Sequence, residues 1–145
     1  MTNAEYERSR FWKRYKEWLS SNGNPFKLAI GRQWAIVNRK TADFIYPCIA
    51  MDFLYQKHIL RVNVYIQSDL ELFDRLCGMR NILDADFKEK KPIWCFGEKG
   101  RDTRRIKIEL PFNRFDGETY DKLIAESAEY VNLFIKNYAP YLRFE

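Results

Sequence analysis

The sequence is poor in the residues on which most enzymes and metal proteins depend. Its 145 residues include one histidine, His58, so no two histidines can share a metal ion. The three cysteines, at positions 48, 77 and 95, lie far apart, whereas structural zinc sites usually take their ligands from close pairs. An odd number of widely spaced cysteines also argues against a disulfide framework. We therefore expect reduced thiols, no metal and no cofactor.

Long apolar runs and an export signal are missing as well. The longest nearly apolar stretch covers residues 44–51. It is far shorter than the roughly 20 residues that a helix needs to cross a bilayer. The first seven residues contain none of the apolar core of a signal peptide. The sequence therefore predicts a cytoplasmic protein that does not associate with a membrane.

Motifs that carry catalysis are also missing. A restriction-type nuclease needs a Glu-x-Lys motif on a strand to hold Mg²⁺, but the Glu-x-Lys at 89–91 falls at the predicted end of a helix. His58 falls in a predicted turn, where solvated histidines are common. Neither the phosphate-loop pattern nor the dinucleotide-binding glycine pattern occurs. The sequence therefore predicts no catalytic residues.

What the sequence does contain is a succession of apolar patterns rich in aromatics, which make up 17% of the residues. Apolar residues at helical spacing predict a first helix around Phe11 to Leu19 and a last helix from Tyr120 to Tyr138. A middle helix is predicted from 72 to 87, behind a capping box formed by Ser68 and Glu71.

Alternating apolar residues predict the strands. One short strand is expected at 33–38 and is followed by a hairpin whose strands cover 49–53 and 60–66. A second hairpin is expected from 93–96 and 106–110. The resulting order, α-β-ββα-ββα, is typical of the α+β class, with an antiparallel sheet packed against about three amphipathic helices. No linker interrupts the pattern, so we predict a single domain over residues 1–145.

Positive charge is concentrated in the first third of the chain. The protein has 25 basic and 20 acidic residues, and residues 1–46 hold nine of the basic and four of the acidic ones, which accounts for the whole net charge of +5. Basic surfaces of this kind attract phosphate backbones or acidic partners. Two groups of basic residues are candidates for such binding, one on the first helix and one on the second hairpin: Arg10, Lys13, Arg14 and Lys16, and Lys99, Arg101, Arg104 and Arg105.

Both groups have a structural alternative. Acidic residues at positions 98, 102 and 109 lie among the hairpin cations, so pairing within a solvated loop explains them better than phosphate binding does. The aromatic stripe on the first helix, which includes Phe11 and Trp12, is more typical of core packing than of stacking on bases.

Several of these features resemble a family of uncharacterised bacterial domains that occur alone or at the C-terminal end of larger proteins, some with a restriction-endonuclease-like nuclease domain in front. The resemblance covers nearly the whole chain. It is carried by Phe11-Trp12, Ile30-Gly31-Arg32 before the strand with Trp34, the run from Leu60 to Ile66, the run from Leu72 to Leu76, Phe87, Trp94 and Arg105-Ile106. It implies a non-catalytic module that accompanies nucleic-acid-processing or defence proteins, and it transfers no catalytic residue.

Three functional hypotheses follow from the sequence. The first is a binding or accessory module that meets nucleic acid, or a protein bound to nucleic acid, through the two basic groups. The second is a protein-interaction or self-associating domain, such as a homodimer, in which exposed aromatics such as Tyr55, Tyr65 or Tyr141 anchor an interface. The third is a small-molecule-binding domain or an enzyme, which a pocket lined by several perturbed carboxylates would favour.

Overall fold

The computed structural model describes residues 2–43, 46–97 and 102–142, which form one sheet and the helices packed against it. The helices are α1 (Asn3–Ser21), α2 (Leu70–Cys77), α3 (Arg80–Leu83) and α4 (Gly117–Asn137), followed by a 3₁₀ turn at Ala139–Tyr141. The strands are β1 (Leu28–Ile30), β2 (Trp34–Val37), β3 (Cys48–Leu54), β4 (Ile59–Gln67), β5 (Ile93–Cys95) and β6 (Thr103–Pro111).

The six strands form one antiparallel sheet in the order β1-β2-β3-β4-β6-β5. The long strand β4 pairs with β3 on one side and with β6 on the other, so Arg61 lies between Asp52 and Glu109. This arrangement confirms the α+β class. Both predicted hairpins are present, although β1 was missed because three residues are too few for alternation to be visible.

The main core lies between one face of the sheet and the helices. Phe53 of β3 is fully buried there and contacts the rings of Phe11 from α1 and Tyr120 from α4. Within the core, the hydroxyl groups of Tyr15 and Ser127 are 2.8 Å apart and join α1 to α4. The aromatic stripe of α1 is therefore used in packing, as the helical spacing indicated.

The predicted capping box at the start of the middle helix is wrong. Ser68 has a positive φ of 57°, and its backbone N–H donates to the carbonyl of Asp102, 3.0 Å away. The helix therefore begins one residue later, and Asp69 caps it by accepting from the backbone N–H of Leu72 at 3.0 Å. A contact with a distant part of the same chain has displaced the local motif.

The middle helix is also shorter than predicted. Its pattern predicts a continuous helix to Phe87, whereas the structure has α2 ending at Cys77 and the short α3 beyond Gly78. Glycine weakens a helix by about 1 kcal/mol relative to alanine because it loses more backbone freedom. The apolar positions on both sides of the break remain in the core, which is why the spacing concealed it.

Candidate anion-binding cleft

The basic residues of α1 divide between two sides of the helix. Side chains three or four positions apart can share a side of a helix, and the contacts pair Arg10 with Arg14 and Lys13 with Lys16. The first pair faces α4, whereas the second pair faces the turn between β1 and β2. The predicted four-residue group is therefore two groups with different surroundings.

Arg10 and Arg14 are engaged within the protein. Arg10 Nη1 donates to Glu7 Oε1 at 3.2 Å and to the carbonyl of Phe115 at 3.1 Å. Arg14 makes a two-pronged contact with Asp121, with Nε 2.7 Å from Oδ1 and Nη2 3.0 Å from Oδ2. The Arg14 guanidinium holds the pKa of the Asp121 carboxyl below its usual range. These contacts hold α1 against α4.

Lys13 and Lys16 instead line a cleft between α1 and the β1–β2 turn, with a volume of about 630 Å³. This volume lies within the roughly 300–1,000 Å³ typical of ligand-binding clefts. The buried indole of Trp12 lies at its base. The lining residues are Glu5, Arg8, Ser9, Trp12, Lys13 and Lys16 of α1 and Ile30, Gly31 and Arg32 of the turn.

Hydrogen bonds hold the two walls of the cleft at a defined separation. Trp12 Nε1 donates to the carbonyl of Arg32 across the cleft at 3.2 Å, and the N–H of Gly31 closes the turn on the carbonyl of Trp34 at 2.9 Å. A Cβ atom at position 31 would lie 2.5 Å from the Trp34 ring, so only glycine fits this close approach. Trp34 Nε1 in turn donates to the carbonyl of Ala42 at 2.9 Å.

The cleft has a large excess of positive charge. Arg8, Lys13, Lys16 and Arg32 stand against one carboxylate, Glu5. Within the described parts of the chain, none of these four cations forms an ion pair, in contrast to Arg10 and Arg14. Four uncompensated cations around an apolar base can bind oxyanions. Among the groups that commonly serve in general acid–base catalysis, the described lining contains one carboxylate, that of Glu5, and no histidine.

The second predicted group is also divided. Arg104 lies over the Phe73 ring, 5.9 Å from its centroid, and donates from Nη1 to the carbonyl of Thr103 at 2.9 Å. Arg105, the next residue of β6, points to the opposite face of the sheet, where it donates to Asn63 Oδ1 at 2.9 Å. Lys99 and Arg101 lie outside the described residues. The structure therefore brings Lys13 and Lys16 together but separates Arg104 from Arg105.

Two cleft residues, Arg8 and Arg32, were not among the predicted binding residues. The helical period could have found Arg8, since positions 5, 8, 9, 12, 13 and 16 form one stripe of α1. Arg32 could be found only after recognising β1, because it is the β1–β2 turn that brings it to the helix. A local sequence signal thus existed for one of the two.

The other candidate chemistry of the sequence does not converge on a site. Within residues 2–43, 46–97 and 102–142, no group of three or more His, Cys, Asp and Glu side chains is arranged to hold a metal ion. His58 is exposed in the β3–β4 turn, with its ring 5.0 Å from that of Phe115. Among the described helices, none has the length and apolar character needed to cross a bilayer.

Fold and cleft together define an α+β domain that presents a cationic cleft beside its first helix. Residues 7–142 match the profile of a domain of unknown function, DUF4268, and the chain belongs to this family. No curated protein matches the sequence. The chain is distantly similar to the crystal structure of YbjN, a proposed transcription regulator from E. coli, with 11% identity and a TM-score of 0.46 over 92% of this chain and 96% of that one.

Proposed function

We propose that this protein is a non-catalytic binding module whose cationic cleft holds the phosphate backbone of a nucleic acid. The observation that carries the proposal is the set of four cations, Arg8, Lys13, Lys16 and Arg32, which have no acidic partner among the described residues. A nucleic-acid backbone is a polyanion, and lysine and arginine contact its phosphates without regard to base sequence. The resemblance to domains that accompany nucleases favours the same partner.

The cleft favours backbone contacts over base recognition. Trp12 is 2% exposed, so its indole supports the base of the cleft and is not available to stack on nucleotides. The lysine side chains at its rim are exposed and able to adjust to a flexible strand. We therefore expect affinity that depends on salt and varies little with sequence.

A salt series tests this proposal. Binding of a labelled single-stranded oligonucleotide is measured by fluorescence anisotropy from about 20 to 200 mM NaCl. For four phosphate contacts on a single strand, the logarithm of the binding constant should fall with the logarithm of salt concentration with a slope of about −3. The double variant Lys13→Gln/Lys16→Gln should reduce the magnitude of this slope by about 1.4.

A matched control removes the same charge elsewhere. Lys88 and Lys91 are exposed and lie before β5, outside the cleft lining. The variant Lys88→Gln/Lys91→Gln should leave the slope within about 0.3 of the original protein, since neither residue contacts the ligand. Equal losses in the two variants, or no binding at the lowest salt, would exclude the cleft as a nucleic-acid site.

Self-association remains a second candidate, and the outer edge of β5 is the feature that favours it. Of the three aromatics predicted to anchor an interface, Tyr55 stacks on Phe115 and Tyr65 contacts Tyr46, whereas Tyr141 is 40% exposed. Ile93 and Phe96 at the β5 edge are 51% and 62% exposed. Exposed edge strands pair readily with other chains. Light scattering would show a dimer that Ile93→Lys dissociates, whereas a strict monomer would rule this candidate out.

A further inference from the structure

The face of the sheet opposite the main core carries a charged network that the cleft does not involve. Successive side chains of a strand point to opposite faces, so every second residue of β3, β4 and β6 lies on this face, and the residues between them enter the core. Many of the residues on this face are polar. The members of the network are Asp52, Arg61, Asn63, Tyr65, Arg105, Lys107 and Glu109.

One carboxylate oxygen is the centre of the network. Asp52 Oδ2 accepts from Arg61, with Nε 3.1 Å and Nη2 3.0 Å away, and from Asn63 Nδ2 at 3.3 Å. Arg105 Nη1 lies 3.6 Å from the same oxygen. The Asp52 side chain is 8% exposed, and the Asn63 residue is fully buried. A single buried acid therefore serves two guanidinium groups.

Arg105 is held in place by contacts beyond its ion pair with Asp52. Its guanidinium lies 4.2 Å from the centroid of the Tyr65 ring, and Nη1 donates to Asn63 Oδ1 at 2.9 Å. Within the described residues, its Nε and Nη2 atoms make no hydrogen bond. The side chain is 30% exposed, so one side of its donor fork is open to a ligand. Arginine presents such a fork in a planar form that matches carboxylates and phosphates.

The network carries more positive than negative charge. Arg61 and Arg105 share Asp52, whereas Lys107 and Glu109 pair with each other at 3.5 Å. Burial, followed by the neighbouring charge of Arg61, lowers the pKa of Arg105. Partly buried charges are normally matched one to one because leaving one unmatched is unfavourable. This network nevertheless keeps one positive charge in excess.

A reactive thiol does not explain the arrangement. Cys48 is buried next to this network, within the electrostatic reach of Arg39, Asp52 and Arg105. Burial raises its pKa to about 11, so the thiol is protonated at neutral pH and is a poor nucleophile. The geometry therefore suits the binding of an anion better than covalent chemistry.

We propose that Arg105, held by Asn63 and Tyr65 beside the Asp52–Arg61 pair, forms a binding site for a small oxyanion, a phosphate or a carboxylate group. The ligand would complete the donor fork of Arg105 and neutralise the excess charge of the network. The site lies on the sheet face and shares no residue with the cleft lined by Lys13 and Lys16. It is therefore independent of the proposed nucleic-acid function.

The full chain provides the test, observed by NMR at the arginine Nε–Hε signals. Inorganic phosphate is titrated at constant ionic strength, and succinate is titrated in parallel to separate the two oxyanion sources. The Arg105 signal should shift and saturate with a Kd of about 1 mM. Saturation by phosphate alone identifies a phosphoryl ligand, and saturation by succinate alone identifies a carboxylate ligand.

Two kinds of variant complete the experiment. The Arg105 variants lack the Arg105 signal, so binding to them is followed at the Arg61 Nε–Hε signal, since Arg61 shares Asp52 with Arg105. Arg105→Gln should raise the Kd at least about tenfold, because both fork donors are lost. Arg105→Lys keeps the charge but loses the planar fork, and it should still raise the Kd about threefold. This variant serves as the test if Arg105→Gln fails to fold. Lys13→Gln/Lys16→Gln should leave the titration unchanged. Shifts that never saturate, or saturation that persists in both Arg105 variants, would overturn the proposal.

Discussion

The two faces of the sheet are both buried near its centre, but they are buried by different means. On the helix-covered face, side chains such as Phe53 and Val62 need only to be surrounded by other apolar groups. On the opposite face, Asp52 and Asn63 are equally hidden, so their buried polar atoms need hydrogen-bonding or charged partners. The stability of the first face depends on how completely its side chains fill space, whereas that of the second depends on charge and hydrogen bonding.

Phe53→Ala should produce the largest effect and test the volume-dependent face. The ring is fully buried and lies 4.8 Å from that of Phe11, 5.4 Å from that of Phe112 and 5.9 Å from that of Tyr120. Because such a cavity cannot collapse completely, we expect the free energy of unfolding to fall by about 3–4 kcal/mol, measured by urea denaturation. Tyr6→Ala, at an exposed position of α1, is the control and should change it by less than about 0.5 kcal/mol.

Asp52→Asn should have an intermediate effect and test the charge-dependent face. The substitution preserves shape but leaves Arg61 and Arg105 without a counter-charge in a partly buried place. We expect a loss of about 2 kcal/mol, less than for a fully buried pair because Arg105 is partly exposed.

A double-mutant cycle sharpens that test. In Asp52→Asn/Arg61→Gln, one unmatched cation has been removed, so the loss should be smaller than the sum of the single losses by about 1 kcal/mol. Urea denaturation of all four proteins provides the measurement. Strictly additive losses of unfolding free energy would mean that Asp52 and Arg61 are not coupled and that the network does not act as a unit.

Arg14→Gln should have the smallest effect, since its partner Asp121 lies at the surface and belongs to neither face. Exposed ion pairs contribute about 0.5 kcal/mol. The folded pKa of Asp121 is lowered, so this contribution is complete at neutral pH and is lost as pH falls through that pKa, below about pH 4.

Urea denaturation from pH 7 to pH 2.5 checks this sign. The difference in unfolding free energy between the original protein and Arg14→Gln should be largest at neutral pH and should vanish in acid. Lys122→Gln, which removes an exposed pairing with Glu118 within α4, is the control for a surface charge that joins no two elements. A difference that grows in acid would contradict the assignment.

Much of the fold could be predicted because its signals are local. Alternation identified both hairpins, and helical spacing identified α1 and α4. The errors occur where a distant part of the chain intervenes. The bond from Ser68 N–H to the Asp102 carbonyl displaced the predicted cap, and β1 exists because Leu28 to Ile30 have β2 to pair with.

The candidate site was predictable only in part, for the same reason. The charge count shows that α1 is basic, but it does not show that Arg14 has an acidic partner and that Lys13 has none among the described residues. Their difference lies in Asp121, 107 residues away from Arg14, which compensates one and not the other. Charge patterns state how many cations a segment has, whereas contacts decide which of them remain unpaired.

The order of residues alone determined the strand and helix periods, the α+β class and the excess of positive charge, because each of these depends on spacing or composition along a short stretch. Tertiary structure alone decided which cations line the cleft and which arginines share the buried carboxylate of Asp52. Those outcomes depend on strands and helices brought together from distant parts of the chain, and no local pattern contains that information.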